Sequence, residues 1–388
     1  MSNYNFDEPL ERHGTNCVKY DALKELYGRD DLLPMWVADM DFRSPDFVME
    51  ALRHRLDHEV LGYATPGRDY WQALIGWLDS HYAIKATQQE LHFIPGIVAG
   101  ISFALMALTQ PGDRVLVTTP VYPPFLTLPP QCGRQLEVCP LTVADGRFAI
   151  DFDQLEQHAH GCKALILSNP HNPAGTVWGA DTLRRLADIC HRNGLLVIAD
   201  EIHADMTLPP HRHVSYSTAS PEARDHSITF FAPSKTFNIA GLSSSACYVA
   251  DPTLRQRFYG WLDGTGVAGG NIMAFVGAEA AFAQGEAWRN QMLHYLAGNV
   301  EALRSGLSTL LPRVKALLPE ASYLAWLDFS DYGLSHEELR QRLIDRARVA
   351  LNDGTTFGGK AYECCFRMNI GCPRATIDDA LRRIAAAL

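Results

Sequence analysis

One stretch decides how this sequence folds: Ile228-Thr-Phe-Phe-Ala-Pro-Ser-Lys-Thr-Phe-Asn238. Its first half is a run of β-branched and aromatic residues, which predicts a buried strand. The strand leads into a short polar loop that carries one lysine, Lys235, next to Ser234. Because lysines are seldom placed inside a core, we interpret the Lys235 amine as the candidate centre for covalent chemistry. The alternative is a structural lysine at a strand-to-loop junction.

Two earlier apolar stretches end in polar side chains in the same way. Residues 195–199 lead to the carboxylate of Asp200, and residues 164–168 lead to an Asn-Pro loop that carries Asn172. Residues 180–192 lie between them with helical spacing of apolar side chains, so the rhythm predicts a mostly parallel sheet covered on both faces. Ligands bind at the carboxyl ends of such strands. We therefore expect Asn172, Asp200 and Lys235 to meet at one edge of the sheet.

These three side chains match the needs of pyridoxal phosphate. The aldehyde of that cofactor needs an amine, its pyridine nitrogen needs an anion to stay protonated, and its phenolate oxygen needs a hydrogen-bond donor. Lys235, Asp200 and Asn172 each meet one of these needs. The sequence therefore predicts pyridoxal phosphate as the cofactor.

A phosphate site is indicated where residues 91–94 run into Gly96 and an apolar helix begins at Ile97. The free N–H groups of a first helical turn, here near Ile97 and Val98, favour an anion, although the same geometry occurs in many proteins without a ligand. Tyr122 follows the next apolar strand and has the flat face that stacks on a pyridine ring. A tyrosine at the rim of the core is the alternative for Tyr122.

Seven blocks of the sequence resemble one family, the fold-type I pyridoxal phosphate enzymes, and within it the MalY/PatB cystathionine β-lyase branch. In chain order the blocks are 35–42, 62–66, 168–178, 199–203, 234–242, 323–328 and 367–374. The resemblance implies an α/β fold with a mostly parallel sheet covered by helices in a large domain, plus a smaller α+β domain. We accordingly expect an N-terminal arm at 1–45 packing with the small domain, a large domain at 46–285 and a small domain at 286–388.

The resemblance also implies roles for residues around the cofactor. It supports stacking by Tyr122 and places Ser234 and His203 beside the cofactor. The tyrosine that matches Tyr63 reaches the cofactor phosphate of the neighbouring protomer in relatives, which implies a homodimer with shared active sites. A loop aromatic that packs on its own domain is the alternative for Tyr63.

Substrate contacts are expected from two regions. The family places Val37 and Ala38 of the arm at the edge of the substrate pocket, whereas the alternative is a simple strand. Arg367 lies in an apolar stretch, and burying its charge is costly unless an anion pairs with it. That anion is either an internal Asp or Glu or, as the family implies, the substrate α-carboxylate, which a guanidinium binds with two parallel hydrogen bonds.

The activity implied is carbon–sulfur β-elimination from cystathionine or a related cysteine S-conjugate, giving pyruvate, ammonia and a thiol. Lys235 would remove the α-proton while Asp200 keeps the ring nitrogen protonated. An aminotransferase is the main alternative, because it uses the same residue types. His203 favours the lyase, since general aminotransferases usually carry tyrosine at this position. A regulatory protein that retains the fold is a further alternative.

Composition limits the partners. The net charge of −10 disfavours nucleic acid and anionic lipid, and no apolar run reaches membrane-spanning length. The polar N-terminus does not resemble a signal peptide, so we expect a cytoplasmic protein whose nine cysteines are reduced thiols. No residue pattern indicates a metal site. The G-x-G-x-x-G pattern at 264–269 follows a helix rather than a strand, so we interpret it as a flexible loop near the pocket instead of a dinucleotide site.

Two positions depart from the family pattern. Ala232 stands where many relatives have a hydroxyl for the phosphate, and Asn352-Asp353-Gly354 stands where a proline-glycine turn is usual. Helices are also predicted from Phe47 to Leu56, with a cap at Ser44-Pro45-Asp46, and from Glu337 to Val349. The loop near Asn271 is expected to help shape the pocket.

Overall fold

The computed structural model describes residues 4–388 as a seven-stranded sheet with helices on both faces and a four-stranded sheet beside it. In this range the strands are β1 (Leu33–Pro34), β2 (Leu91–Ile94), β3 (Arg114–Thr119), β4 (Gln135–Pro140), β5 (Thr142–Ala144), β6 (Arg147–Ala149), β7 (Cys162–Ser168), β8 (Leu196–Asp200), β9 (Ser227–Phe231), β10 (Ser245–Tyr248), β11 (Lys315–Leu317), β12 (Leu324–Asp328), β13 (Val349–Ala350), β14 (Asn352–Asp353) and β15 (Cys365–Asn369).

The α-helices in the same range are α1 (Val18–Asp21), α2 (Leu23–Tyr27), α3 (Asp46–Leu56), α4 (Arg68–Tyr82), α5 (Ile97–Leu108), α6 (Pro123–Gln131), α7 (Phe152–Ala159), α8 (Ala180–Arg192), α9 (Pro221–Asp225), α10 (Pro252–Thr265), α11 (Ile272–Gln284), α12 (Glu286–Leu310), α13 (His336–Gln341) and α14 (Arg374–Ala387).

The large sheet has the strand order β2-β10-β9-β8-β7-β3-β4. Its strands are parallel except β10, which runs antiparallel to both of its neighbours, so the predicted mostly parallel sheet is confirmed. Ser168 of β7 is opposite Asp200 of β8, and Asp200 is opposite Phe230 of β9. The carboxyl ends of the three predicted strands therefore lie level with one another.

Packing on both faces explains why these strands are continuous apolar runs. Alternate side chains of a strand point to opposite faces. In β7, Leu165 and Leu167 share a core cluster with Leu183 and Leu186 of α8, whereas Ile166 joins a different cluster that includes Ile101 of α5. A central strand covered in this way needs apolar residues at successive positions rather than at alternate ones.

The smaller sheet is antiparallel, with the order β11-β12-β15-β14. Side chains of β12 and β15 share a core cluster with α12 and α14. The N-terminal arm reaches this part of the chain, because β1 pairs in parallel with β13. The domain boundaries at 45 and 285 stay a prediction.

Two local predictions are wrong. Ser44 does not cap α3, because its hydroxyl donates to the carbonyl of Asn238. The N-cap position is occupied by Pro45, and no side chain caps this end of the helix. The helix expected up to Val349 ends earlier: α13 passes into a π-helical turn at Arg342–Arg346, and Val349 pairs with the arm as part of β13. In both places a long-range partner competes with the local pattern.

Three general features concern the described range as a whole. Within residues 4–388, no helix is long and apolar enough to cross a membrane. The same range has no group of three or more His, Cys, Asp or Glu side chains arranged to hold a metal ion. All nine cysteines are free thiols.

The loop after β7 passes very close to the residues that lead into β12. Gly175 has a φ of +69°, and a Cβ at this position would lie 2.3 Å from the carbonyl oxygen of Ala321. The backbone N–H of Ala321 donates to the Gly175 carbonyl at 2.9 Å. Glycine is therefore required here both for its backbone conformation and for this close approach.

We expect Gly175→Ala to lower the free energy of unfolding by about 2–4 kcal/mol, because it adds a steric clash to the cost of a left-handed backbone. Gly194→Ala is the matched control. Gly194 has a φ of +68° with no atom within 4 Å of its Cβ position, so only the backbone cost of about 1 kcal/mol applies. Urea unfolding of both variants measures the difference, and equal losses would contradict the steric argument.

Candidate active site

The carboxyl ends of β7, β8 and β9 open onto a cavity of 380 Å³, which residues of β15 and the N-terminal arm also line. Every predicted site residue except Tyr63 lines this cavity. They are Val37, Ala38, Ile97, Val98, Tyr122, Asn172, Asp200, His203, Ser234, Lys235 and Arg367.

Lys235 lies in the loop that follows β9, with its side chain inside the cavity. Its Nζ donates to the carbonyl oxygen of Ala38 at 2.6 Å. Burial lowers the pKa of the Lys235 amine to about 8, although the nearby Asp39 carboxylate opposes this effect. An amine with a lowered pKa has a larger neutral fraction, which suits it to act as a nucleophile or a base.

Asp200 is the last residue of β8 and is buried. Its Oδ1 accepts a hydrogen bond from the Ile202 backbone at 3.0 Å, yet burial raises the pKa of this carboxyl to about 7. Three residues later, His203 is also buried, and burial lowers the pKa of its imidazole to about 3, so this ring is neutral. The buried Nδ1 of His203 has no hydrogen-bond partner.

Arg367 of β15 faces the cavity from the smaller sheet. Its Nη1 donates to Asn172 Oδ1 at 2.9 Å, and its Nη2 donates to the Trp36 carbonyl at 3.0 Å and to Asn352 Oδ1 at 2.6 Å. The buried Nε has no partner. All of these acceptors are neutral, and burial lowers the pKa of the guanidinium to about 10. The alternative of an internal Asp or Glu partner is therefore not seen among the hydrogen bonds of Arg367, and the charge remains available to an anionic ligand.

A group of N–H and hydroxyl donors also lines the cavity. Helix α5 begins after Gly96, and Ile97 and Val98 of its first turn line the cavity together with Ser243, Ser244 and Ser245. The Ser244 hydroxyl is buried and lies close to the Tyr70 side chain. Free N–H groups at a helix start favour an anion. These donors therefore suit a phosphate.

The sequence reasoning missed the three serines. They form a run of hydroxyl side chains at the start of β10 and shortly after the lysine loop, which was the available signal. Ala232 lines the cavity without a hydroxyl, as its departure from the family pattern predicts. The hydroxyl groups that line the cavity near the start of β10 thus come from the serines at 243–245 and not from position 232.

The residues present fit pyridoxal phosphate. Lys235 supplies an amine, and Asp200 is a buried carboxylate whose raised pKa a neighbouring cation would lower again. The hydroxyls of Ser243, Ser244 and Ser245 and the start of α5 offer donors to a phosphate, and Tyr122 offers an aromatic ring. The buried Nδ1 of His203 has no hydrogen-bond partner, which is unusual for a buried polar atom unless a ligand supplies one.

The arm segment 36–42 is held by side chains from distant parts of the chain. Besides Arg367 and Lys235, Asn369 binds the carbonyls of Val37 and Asp39, and Tyr323 donates to that of Ala38. Further carbonyls of the segment accept hydrogen bonds from Lys19, Arg12 and Asn238. Arg12 also pairs with Asp39 and Asp41, and the buried Lys19 pairs with Asp41 at 2.6 Å. The backbone of segment 36–42 at the rim of the cavity is thus fixed by hydrogen bonds from several distant parts of the chain.

Some predicted pocket residues lie elsewhere. Tyr63 is fully exposed in the loop before α4 and does not line the cavity. None of the residues 264–269 lines the cavity, and the first two belong to α10 rather than to a loop. Asn271 caps α11 through a bond to Ala274 instead of lining the cavity. The predicted roles of individual site residues stay predictions.

Comparison with known proteins agrees with this geometry. The family model for aminotransferase class I and II matches residues 31–384. The chain is 44% identical to cystathionine β-lyase PatB of Bacillus subtilis, over 99% of this chain and 100% of that protein. It is 30% identical to protein MalY of Escherichia coli, over 99% of each.

A solved structure shares the architecture as well. The pyridoxal phosphate-bound C–S lyase of Staphylococcus hominis superposes with a TM-score of 0.92 at 34% identity, covering 100% of this chain and 98% of that one. Family model, full-length relatives and fold all agree. The chain therefore belongs to the aminotransferase class I and II family, in the branch that contains PatB and MalY.

Proposed function

We propose that this protein is a pyridoxal phosphate-dependent carbon–sulfur β-lyase that converts cystathionine or a related cysteine S-conjugate to pyruvate, ammonia and a thiol. One observation supports an amino acid as the substrate. The buried Arg367 has only neutral hydrogen-bond partners and faces the cavity that Lys235 and Asp200 also line. The similarity to PatB supports a lyase within that class.

The proposed cofactor contacts follow from the positions of the side chains. Lys235 would bind the aldehyde carbon, and Asp200 would pair with the ring nitrogen. The start of α5 and the serines at 243–245 would hold the phosphate, while Tyr122 would provide a stacking face. His203 is neutral, so its imidazole can donate a hydrogen bond without adding a positive charge near Lys235.

When bound, pyridoxal phosphate supplies an electron-accepting ring that stabilises negative charge at the substrate α-carbon. Arg367 binds the α-carboxylate and so fixes the orientation of the α-carbon in the cavity. The Lys235 amine, once the substrate amine has taken its place, removes the α-proton, for which its lowered pKa is suited. The Asp200 carboxylate would keep the ring nitrogen protonated. The Cβ–S bond then breaks with departure of the thiolate, and water addition accounts for the release of pyruvate and ammonia.

An aminotransferase is the alternative. It would use the same residues but would direct the proton taken from the α-carbon to a different atom. A proton delivered back to the cofactor, instead of loss of the thiolate, gives a keto acid. His203, which replaces the tyrosine usual in general aminotransferases, favours the lyase. A regulatory role in addition to catalysis is compatible with an intact Lys235.

We also infer a homodimer in which Tyr63 enters the active site of the neighbouring protomer. The support is that Tyr63 is fully exposed, and that Leu56, Val60 and Leu61 beside it are exposed as well. Adjacent exposed apolar side chains are typical of a surface that another chain covers.

We further infer a cytosolic location. The free state of all nine cysteines supports it, and cell fractionation would test it.

The purified enzyme with its cofactor, mixed with cystathionine and no keto acid, should release pyruvate and thiol continuously. A lyase returns to its starting state after every cycle, whereas an aminotransferase stops after one turnover until a keto acid is added. Thiol and pyruvate assays over many turnovers measure this. Thiol release that stays below one equivalent per site, together with rescue by a keto acid, would favour the aminotransferase. Lys235→Ala, which lacks the amine, is the control and should release neither product.

The ligand-free protein should show a pH dependence that Asp200 causes. Its pKa is about 7 in the folded state and near 3.8 when unfolded. Between these values the folded protein holds the extra proton, so the free energy of unfolding falls as pH rises from about 4 to 7, by up to about 4 kcal/mol. Asp200→Asn has no such proton and should gain stability relative to the wild type over this range. Urea unfolding at several pH values measures the gain.

Binding of the cofactor provides the control for that experiment. The cationic ring nitrogen should lower the pKa of Asp200, so the difference between the two proteins should depend less on pH when the cofactor is bound. Parallel pH profiles of ligand-free wild type and Asp200→Asn would contradict the role of burial at this residue.

Shared active sites can be tested by mixing two inactive variants. If Tyr63 serves the neighbouring protomer, a hybrid of Tyr63→Ala and Lys235→Ala subunits has one site with both residues intact. Random exchange of subunits should then restore about one quarter of the sites in a dimer with two-fold symmetry. Product release before and after mixing measures this, and no recovery despite proven subunit exchange would contradict the inference.

A further inference from the structure

Asn352 lies directly opposite Arg367 in the smaller sheet. The two residues are register partners of the antiparallel strands β14 and β15, so their side chains stand on the same face. Asn352 Oδ1 accepts from Arg367 Nη2 at 2.6 Å, and Asn352 lines the active-site cavity. This is the position where the sequence departs from the proline-glycine turn of the family.

The turn that carries Asn352 is tightly fixed. A Cβ at Gly354 would lie 2.3 Å from the carbonyl oxygen of Cys365, so the turn packs against β15 without free space. Asp353 accepts from the backbone N–H of Thr355 at 2.9 Å and contacts His336 Nε2 at 2.7 Å. The Asn352 side chain is thus presented to Arg367 by a backbone that has little freedom to move.

The hydrogen bonds of Arg367 show which of its donors remain free for a ligand. Nη2 of Arg367 is shared between the Trp36 carbonyl and Asn352, and Nη1 has one partner, Asn172. The buried Nε has none. The arginine is therefore held on both sides by neutral oxygens, while donors at Nε and Nη1 and the whole positive charge stay available.

An amide side chain at position 352 suits a carboxylate-binding site better than a carboxylate side chain would. Asn352 uses its oxygen on Arg367, and within residues 4–388 its Nδ2 makes no hydrogen bond, so an N–H donor remains beside the guanidinium. An aspartate here would form an ion pair with Arg367 at the same short distance. That pair would compete with any anionic ligand and would remove the extra donor.

We propose that Asn352 is a substrate-positioning residue: it orients Arg367 through Oδ1 and donates from Nδ2 to the α-carboxylate that Arg367 binds. The inference rests on the proposed function only in taking an α-amino acid as the ligand. The burial that lowers the pKa of Arg367 agrees with a guanidinium whose charge is left for a ligand.

The test compares Asn352→Ala and Asn352→Asp in the enzyme with its cofactor. The probes are L-alanine and L-alaninamide, which have no leaving group and differ only in the carboxylate; the change in cofactor absorbance reports their binding. Asn352→Ala should weaken L-alanine binding about tenfold, because it loses a hydrogen bond to a charged group. Asn352→Asp should weaken it about a hundredfold, because the new carboxylate occupies the guanidinium. Binding of L-alaninamide should change little in either variant.

The order of the two variants separates positioning from a structural role. If Asn352 only supported the fold, Asn352→Asp would retain the contact to Arg367 and would be the milder change. That order, or equal loss for the acid and its amide, would overturn the inference. Urea midpoints equal to the wild type confirm that both variants fold.

Arg367→Lys distinguishes this failure from a failure of the proposed substrate contact. An unchanged preference for L-alanine over its amide in Arg367→Lys would overturn the assignment of Arg367 and the inference together. Because the measurement is binding, it gives the same answer whether the enzyme eliminates a thiol or transfers an amino group.

Discussion

The burial of several ionisable groups in one cavity is the constraint on which the rest of the site depends. Lys235, Asp200, His203 and Arg367 all have pKa values displaced by burial toward their neutral forms. Taking charges out of water costs free energy, which an isolated helix or loop could not supply. Here the strands of two sheets and the arm hold these groups in place, and ligands of matching charge recover part of that cost. Such clusters of displaced pKa values are typical of functional sites.

Much of this arrangement is encoded in short stretches of sequence. The apolar runs at β7, β8 and β9 and the polar residues that follow them predict both the parallel sheet and the meeting of Asn172, Asp200 and Lys235. The reason is geometric, because parallel strands joined by helices bring their carboxyl ends to one edge. The start of α5 was predictable for a similar reason, since a glycine turn before an apolar helix determines where free N–H groups lie.

Other parts depend on contacts between residues far apart in the chain. The register of β14 with β15 places Asn352 on Arg367, and no local pattern indicates that pairing. Ser44 has the composition of a helix cap, but its hydroxyl binds Asn238, almost two hundred residues away in sequence. Periodicity cannot reveal such features, because they are decided by tertiary packing rather than by local preference.

The arm segment 36–42 has a consequence for how this enzyme can change. Its carbonyls are bound by side chains of Arg367, Asn369, Lys235, Tyr323 and Asn238, and none of these bonds uses the side chain of Val37 or Ala38. Backbone position and side-chain identity are thus specified by different residues. Evolution or protein engineering can therefore vary the side chains at 37 and 38, and with them the shape of the pocket rim, while the path of the chain is conserved.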